Sequence, residues 1–207
     1  MKFPAKGGND FAIAPVGNHL AICNAVVDLG LQPGSLQYPE PKHQVYIRFE
    51  LPDEVVEYEK DGQKISGPMS IGRTFTASMS PKANLRKFVE SWFGKSFPSD
   101  DAAAAFDFQN VLGRKCLLNV AHTERDSKTY ANINAATPLP KSMATADVQQ
   151  HNPSLYFDLA NPSGTAFAAL PEWLRKKVES RLDPTPVNPS RADDVDGGEP
   201  FDDSIPF

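Results

Sequence analysis

The order of elements legible in this chain predicts a mainly β protein with helices. The core is a five-stranded Greek-key barrel with one helix between its third and fourth strands, followed by a C-terminal helix and a disordered acidic tail. Residues 43–51 alternate apolar and polar side chains without a break, the mark of a half-buried strand. The period turns helical after Ser80-Pro81 and returns to two after Gly113. Beyond residue 182, prolines, glycines and carboxylates replace the apolar groups that a core needs.

Residues 1–18 form an irregular lead-in punctuated by Gly7, Gly8, Pro15 and Gly17. Residues 19–31 are rich in β-branched and apolar side chains and read as a long first strand. Its alternation changes phase near Asn24, which predicts a bulge there. Residues 32–42 contain Pro33, Gly34, Pro39 and Pro41 and form a loop. In the second strand, 43–51, Val45, Ile47, Phe49 and Leu51 share one face, and Gln44, Tyr46, Arg48 and Glu50 share the other. Residues 52–68 read as a charged turn region around Asp61-Gly62, compatible with a hairpin arm of its own. A third strand, 70–79, is centred on Thr74, Phe75 and Thr76.

The helix opens with Ser80 as N-cap and Pro81 at its first position, and Gly94 closes it. Leu85, Phe88, Val89 and Trp92 make its inner face, while Lys82, Arg86 and Lys87 lie on the others. Residues 99–110 are compatible with a second short helix, ended by Gly113. The fourth strand, 114–123, turns Cys116, Leu118 and Val120 to one side. The fifth, 128–136, places Ala131 and Ile133 opposite Tyr130, Asn132 and Asn134. Pro138 and Pro140 stop the sheet. Three strands, a helix and two strands are the element order of the OB-fold. The chain thus divides into an OB-fold domain with an N-terminal extension over 1–140, an extension over 141–182, and a disordered acidic tail over 183–207. The middle segment ends in an amphipathic helix, 171–182, whose apolar stripe is Trp173, Leu174, Val178 and Leu182.

The 207 residues suffice for one core of roughly 100 to 150 residues plus extensions. The net charge of −5 is unevenly spread. Residues 183–207 hold seven carboxylates against Arg191, a net of −6, which leaves +1 for residues 1–182. Nucleic acid is therefore compatible with the body, but any basic groove must be local. No apolar run approaches the 18 or so residues of a membrane span, and Lys2 and Lys6 precede no signal-peptide core. Cys23 and Cys116 have no cysteine neighbour and read as buried thiols of a reducing compartment, which points to the cytoplasm.

Little in the chain suggests catalysis. The four histidines lack metalloprotease spacing, two isolated cysteines cannot build a zinc ribbon, and neither a phosphate-binding glycine loop nor a Gly-x-Ser-x-Gly elbow is present. The expectation is a non-enzyme with no catalytic residue, metal or cofactor. A surface that holds single strands needs aromatic faces for bases and cations for phosphates. Tyr46 beside Arg48 and Tyr130 between Lys128 and Asn132 offer that mixture, and Arg73 and Phe75 extend it from the third strand. Arg125 and Lys128 flank the loop between strands four and five, and Lys42 and His43 end the loop between strands one and two. Those two loops grip ligands in OB-folds. Each residue has a structural alternative. Tyr46, Tyr130 and Phe75 can pack, Arg48 can pair with Glu50, and Trp173 fits a helix anchor or partner contact better than a base stacker.

The stretch from Pro200 to Phe207 (Pro-Phe-Asp-Asp-Ser-Ile-Pro-Phe) resembles the tip of bacterial single-stranded DNA-binding proteins, Asp-Asp-Ile-Pro-Phe or a close variant, with Ser204 in place of one acidic residue. Three segments of the body, 17–30 (Gly-Asn-His-Leu-Ala-Ile-Cys-Asn-Ala-Val-Val-Asp-Leu-Gly), 112–120 (Leu-Gly-Arg-Lys-Cys-Leu-Leu-Asn-Val) and 170–178 (Leu-Pro-Glu-Trp-Leu-Arg-Lys-Lys-Val), are similar to phage-encoded replication proteins grouped as single-stranded DNA-binding proteins. The resemblance implies a sequence-independent protein that protects single-stranded DNA in replication, recombination and repair within a bacterial host. It assigns Asp202, Asp203, Ile205, Pro206 and Phe207 to docking on replication and repair proteins. No binding residue of the body is carried over, and a homo-oligomer is compatible with the sequence. Three alternatives stand beside it. One is a recombination mediator that anneals strands. Another is an OB-fold adaptor without DNA affinity, which would have Tyr46, Arg48 and Tyr130 covered by protein. The third, a nuclease subunit or other enzyme, would need a carboxylate cluster.

Overall fold

The computed structural model describes residues 12–35, 39–60, 63–143 and 148–182, so the acidic tail and its tip lie outside the described residues. Five strands, β1 (Gly17–Gln32), β2 (Lys42–Lys60), β3 (Gln63–Thr76), β4 (Lys115–Arg125) and β5 (Lys128–Thr137), form a curled antiparallel sheet in the order β3-β2-β1-β4-β5. A short sixth strand, β6 (Leu155–Phe157), lies parallel to β1. The helices are α1 (Asn84–Phe93), α2 (Asp100–Ala104), α3 (Gly164–Ala169) and α4 (Glu172–Glu179), with a 3-10 turn at Phe108–Val111. Among the described residues no helix is long and apolar enough to cross a membrane.

The centre of this arrangement is β1. One of its edges runs beside β2 from Ile22↔Glu50 to Gln32↔Lys42. Its other edge pairs first with β4, Gly17 to Ile22, and then with β6, Ala25 to Val27. Between them the Cys23 N–H donates to the Arg114 carbonyl at 3.0 Å, and the Cys23 carbonyl accepts from Gly113 at 2.8 Å. The register against β2 slips between Cys23 and Ala25, which makes Asn24 the extra residue of a bulge where the phase change predicts one. A second slip lies between Asp28 and Gly30, the latter at φ 70°. Bulges bend a strand and increase its twist, so the sheet curls into a half-barrel that brings β3 and β5 to face each other. Arg73 of β3 spans the opening and donates from Nη1 to the Ile133 carbonyl at 3.0 Å.

The concave side is filled as the alternation requires. Ile47, Phe49 and Leu51 are buried there with Cys23, Leu118, Val120 and Ile133, and α1 closes the space with Leu85, Phe88, Val89 and Trp92. The Phe49 ring meets Trp92 edge-on at 5.0 Å, and Ser91 Oγ ties α1 to the Ala136 carbonyl at 2.8 Å. Both thiols lie in this core, where burial pushes them well above their ordinary pKa.

Several local expectations shift. The first helix begins at Asn84 instead of Pro81. Residues 80–83 form a turn in which Ala83 N–H donates to the Ser80 carbonyl, and Ser80 Oγ pairs with Ser78 instead of capping. Gly94 ends the helix at φ 68°, as its position implies. Residues 99–110 divide into α2, capped by Ser99 Oγ, and the 3-10 turn, capped by Asp107. The charged 52–68 region is a continuation of β2 and β3 into a long paired arm, with a register slip between Leu51 and Val55. Helix α3, capped by Ser163, has no counterpart in the sequence reading.

The main correction concerns the face of β2 that carries Tyr46 and Arg48, expected to face outward. Residues 148–182 cover it. Val27, Leu29 and Tyr46 are buried there under Phe157, Leu170, Leu174 and Val178, which form a second core. Glu50, fully buried, secures this layer: its carboxylate accepts from the backbone N–H groups of His151 (2.6 Å) and Asn152 (2.9 Å) and from Asn152 Nδ2 (2.6 Å). The bulged Asn24 donates to it at 3.4 Å from the sheet side. At the other end, Leu182 N–H donates to the Leu31 carbonyl at 2.8 Å and Gln32 Nε2 to the Lys177 carbonyl at 3.0 Å.

Removing a buried acceptor strands its donors, so Glu50→Ala is expected to lower the unfolding free energy by about 2 to 4 kcal/mol. Glu50→Gln should cost less, since one oxygen still accepts. Urea denaturation followed by far-UV circular dichroism measures both, and a loss under about 0.5 kcal/mol for Glu50→Ala would show that the clamp does not hold the layer.

Candidate nucleic-acid interface

The opening between β3 and β5 is the place where the sheet presents strand edges and polar side chains together. Gly72, Arg73 and Thr74 of β3 face Asn132 and Ile133 of β5 across a cleft of about 370 Å³. A second cleft of about 450 Å³ continues along Arg73–Thr76 to Lys82, Ala83 and Asn84 and shares Arg73 and Thr74 with the first. The described lining residues of both include two cations and no carboxylate. In a molecule this acidic, that separation of charge is a local property of the fold.

Arg73 occupies an inward position of β3, between Ile71 and Phe75, but β3 is an edge strand and the barrel is open there. Its guanidinium lies 4.7 Å over the Phe75 ring, and both its carbonyl bonds, to Ile133 at 3.0 Å and Asn134 at 3.4 Å, use Nη1. An arginine has five N–H donors in a planar fork, so this one is oriented by the gap and still presents donors along it. Across the gap, Asn132 is held by bonds from Nδ2 to Thr123 Oγ1 (2.9 Å) and to the Tyr130 carbonyl (3.1 Å). Strand alternation places Lys128 and Tyr130 on the face of Asn132, and the Tyr130 ring is 47% exposed. Asp126 and Ser127, at φ 51° and 59°, form the two-residue reverse turn whose twist matches an antiparallel pair. Arg125, beside it, makes only an exposed 3.7 Å pair with Asp126, an interaction worth little.

Three of the seven residues expected to bind a strand are used for packing. Phe75 is buried with its ring 4.9 Å from Phe88, so it has no open face for a base. Tyr46 is 9% exposed: its ring lies against Gly72, where a Cβ would meet the hydroxyl at 2.0 Å, and Trp173 meets it edge-on at 5.1 Å. Arg48 is half-buried and donates from Nε to Asn24 Oδ1 at 2.9 Å, not to Glu50. Arg73 lines the cleft, and Arg125, Lys128 and Tyr130 stand exposed at the end of β4–β5. Tyr46 is thus covered by its own chain, while Tyr130 is open.

Lys82 and Thr74, which the sequence does not single out as ligand contacts, line the clefts, and Trp173 stands exposed. Lys82 looked like the outer face of a helix and instead sits in the turn before it. Trp173 falls in the apolar stripe expected for the last helix, but neighbours on a helix lie about 100° apart. Leu174 and Val178 take the inner face, which leaves Trp173 51% exposed beside Tyr46, on the Gly72 side of the sheet. The helical wheel carried that signal. Two exposed rings follow from this: Tyr130, two residues from Asn132 on β5, and Trp173 of α4, against the Tyr46 ring that abuts Gly72.

Another cavity, about 820 Å³, lies across the Ser78–Ser80 turn and is rimmed by aspartates, the wrong sign for phosphates. Among the described residues no group of His, Cys, Asp and Glu is arranged to hold a metal ion. No protein-family model, curated protein or solved structure matches the chain. The interface accordingly stands on its own geometry.

The two tryptophans give a direct check, because Trp92 is buried and Trp173 is not. Acrylamide is expected to quench most of the accessible emission of the native protein, and Trp173→Phe to remove that quenchable part. Quenching that persists in Trp173→Phe would place Trp92, not Trp173, in contact with solvent.

Proposed function

We propose that the half-barrel is an OB-type Greek-key barrel, open between β3 and β5, and that its cleft binds single-stranded DNA without reading sequence. The carrying observation is that Arg73 and Lys82 line the clefts with no carboxylate among the described lining residues, while Tyr130 stands exposed two residues from Asn132 and Trp173 stands exposed against Tyr46. The two cations attract phosphates, and release of condensed counterions makes that attraction salt-sensitive. The exposed rings offer faces on which any base can stack, worth about 1 to 3 kcal/mol each. Thr74, Asn84 and Asn132 offer hydrogen bonds that adapt to different base edges. A duplex keeps its bases stacked on one another, so only a single strand gains from the rings. In this reading the tail, at −6, carries the tip Asp202, Asp203, Ile205, Pro206 and Phe207 for docking on replication and repair proteins in the cytoplasm of a bacterial host.

The test is fluorescence anisotropy with a labelled oligothymidine of about thirty nucleotides, longer than the roughly 4 to 16 that one OB-fold covers. The matching duplex and RNA are measured at low and moderate salt. Tight, salt-dependent binding of the single strand with little binding of the duplex is expected. Tyr130→Ala should weaken it by about 1 to 3 kcal/mol, and Lys82→Ala should flatten the salt slope by about 0.7. No binding of the single strand, or equal binding of the duplex, overturns the reading, whereas accelerated annealing of complementary strands would reassign the protein to recombination mediators.

The acidic tail competes with phosphates for the same two cations. Deleting residues 183–207 is therefore expected to tighten oligothymidine binding at low salt and to change it little at high salt. Unchanged affinity at low salt would sink that competition.

A further inference from the structure

Across the Ser78–Ser80 turn from the basic cleft, the second half of β1, the start of β2, α1, α2 and β6 line an open groove of about 820 Å³. That volume falls within the roughly 300 to 1,000 Å³ of ligand sites. Its floor is apolar: Val26, Val45, Leu85, Phe108 and Phe157 line it. Its rim carries Asp28, Asp100, Asp101, Asp107 and Asp158, contributed by separate segments of the chain. The protein answers this charge only in part. Arg86 Nη1 reaches Asp100 at 2.6 Å and His43 Nε2 reaches Asp28 at 2.5 Å, while Asp107 and Asp158 each accept a backbone N–H at the start of a turn. The phenol of Tyr156, in the same wall, has its pKa pushed up to about 12 by burial and by Asp158, Asp107 and Asp28. It stays neutral and can donate a hydrogen bond.

We propose that this groove is a docking site for a basic segment of a partner protein, one in which arginines or lysines alternate with aromatic or aliphatic residues. The floor takes the apolar side chains. The rim takes the cations, and carboxylates spread over several elements call for more than one of them, as a run of residues supplies and a single small cation does not. Charge excludes two other candidates. A nucleic acid would bring phosphates to five carboxylates, and residues 183–207 of this chain carry −6. The groove is independent of the DNA reading and adjoins the cleft through Ser78 and Ser80, which line both cavities. A partner docked there would sit beside the bound strand without competing for Arg73 or Lys82.

The experiment titrates the full chain into three fluorescein-labelled amidated peptides: Arg-Phe-Arg-Leu-Arg, Arg-Ser-Arg-Ser-Arg and Glu-Phe-Glu-Leu-Glu. The first is expected to bind about ten-fold more tightly than either control, since only it matches both floor and rim. Asp101→Asn combined with Asp158→Asn removes rim charge and keeps the turn acceptor. Ala104→Trp fills the groove and changes no charge, Ala104 being part of the lining. Each is expected to weaken the first peptide by about ten-fold while leaving oligothymidine binding unchanged. Thermal melting verifies that each variant is folded, and if one is not, the other decides. Three results overturn the proposal: no binding of the first peptide, equal affinity for the serine or glutamate peptide, or undiminished affinity in a folded variant. Absence of oligothymidine binding by the unaltered chain, with the first peptide bound, counts against the DNA reading and not against this one.

Discussion

The buried carboxylate of Glu50 is the constraint on which the rest of the molecule depends. A carboxylate out of water is costly unless its oxygens accept hydrogen bonds, and here three donors come from His151 and Asn152, about one hundred residues later in the chain. The sheet is therefore incomplete without the extension. The bulge at Asn24 supplies a further donor, and by bending β1 it frees the strand's second half to pair with β6. One distortion thus both curls the sheet and opens the edge along which the extension attaches.

That arrangement decides where a ligand can reach the protein. With residues 148–182 lying over β1 and β2, the convex face becomes a second core and Tyr46 becomes part of it. The accessible polar surface moves to the opening between β3 and β5, where an edge strand and a gap let Arg73 point along the sheet instead of into it. The extension also adds an exposed ring, since α4 carries Trp173 on its open side next to Tyr46.

Electrostatics separates the two cavities. Residues 1–182 sum to +1, a figure that conceals a carboxylate-free cleft and an aspartate-rimmed groove on either side of one turn. Screening within about 8 Å at physiological salt allows patches of opposite sign to act locally. A nearly neutral body can then attract phosphates at one place and cations at the next, and the turn at Ser78–Ser80 is the wall between them.

What the sequence determined by itself is what depends on near neighbours. The alternation of 43–51, the phase slip at Asn24, the left-handed stop at Gly94 and the inner face of α1 follow from periods of two and 3.6 and from glycine's freedom at positive φ. The acidic character of residues 183–207 is likewise plain from composition. Tertiary structure alone decided which faces stayed open. Alternation assigns Tyr46, Arg48 and Glu50 to one side of β2, but only the docking of residues 148–182 makes that side interior. Lys82 and Arg73 became cleft residues for the same reason, through a turn that replaced a helix start and a barrel left open at its edge. Local spacing fixes which side chains share a face. What covers that face is set by groups far along the chain, whose burial and hydrogen bonding no short window contains.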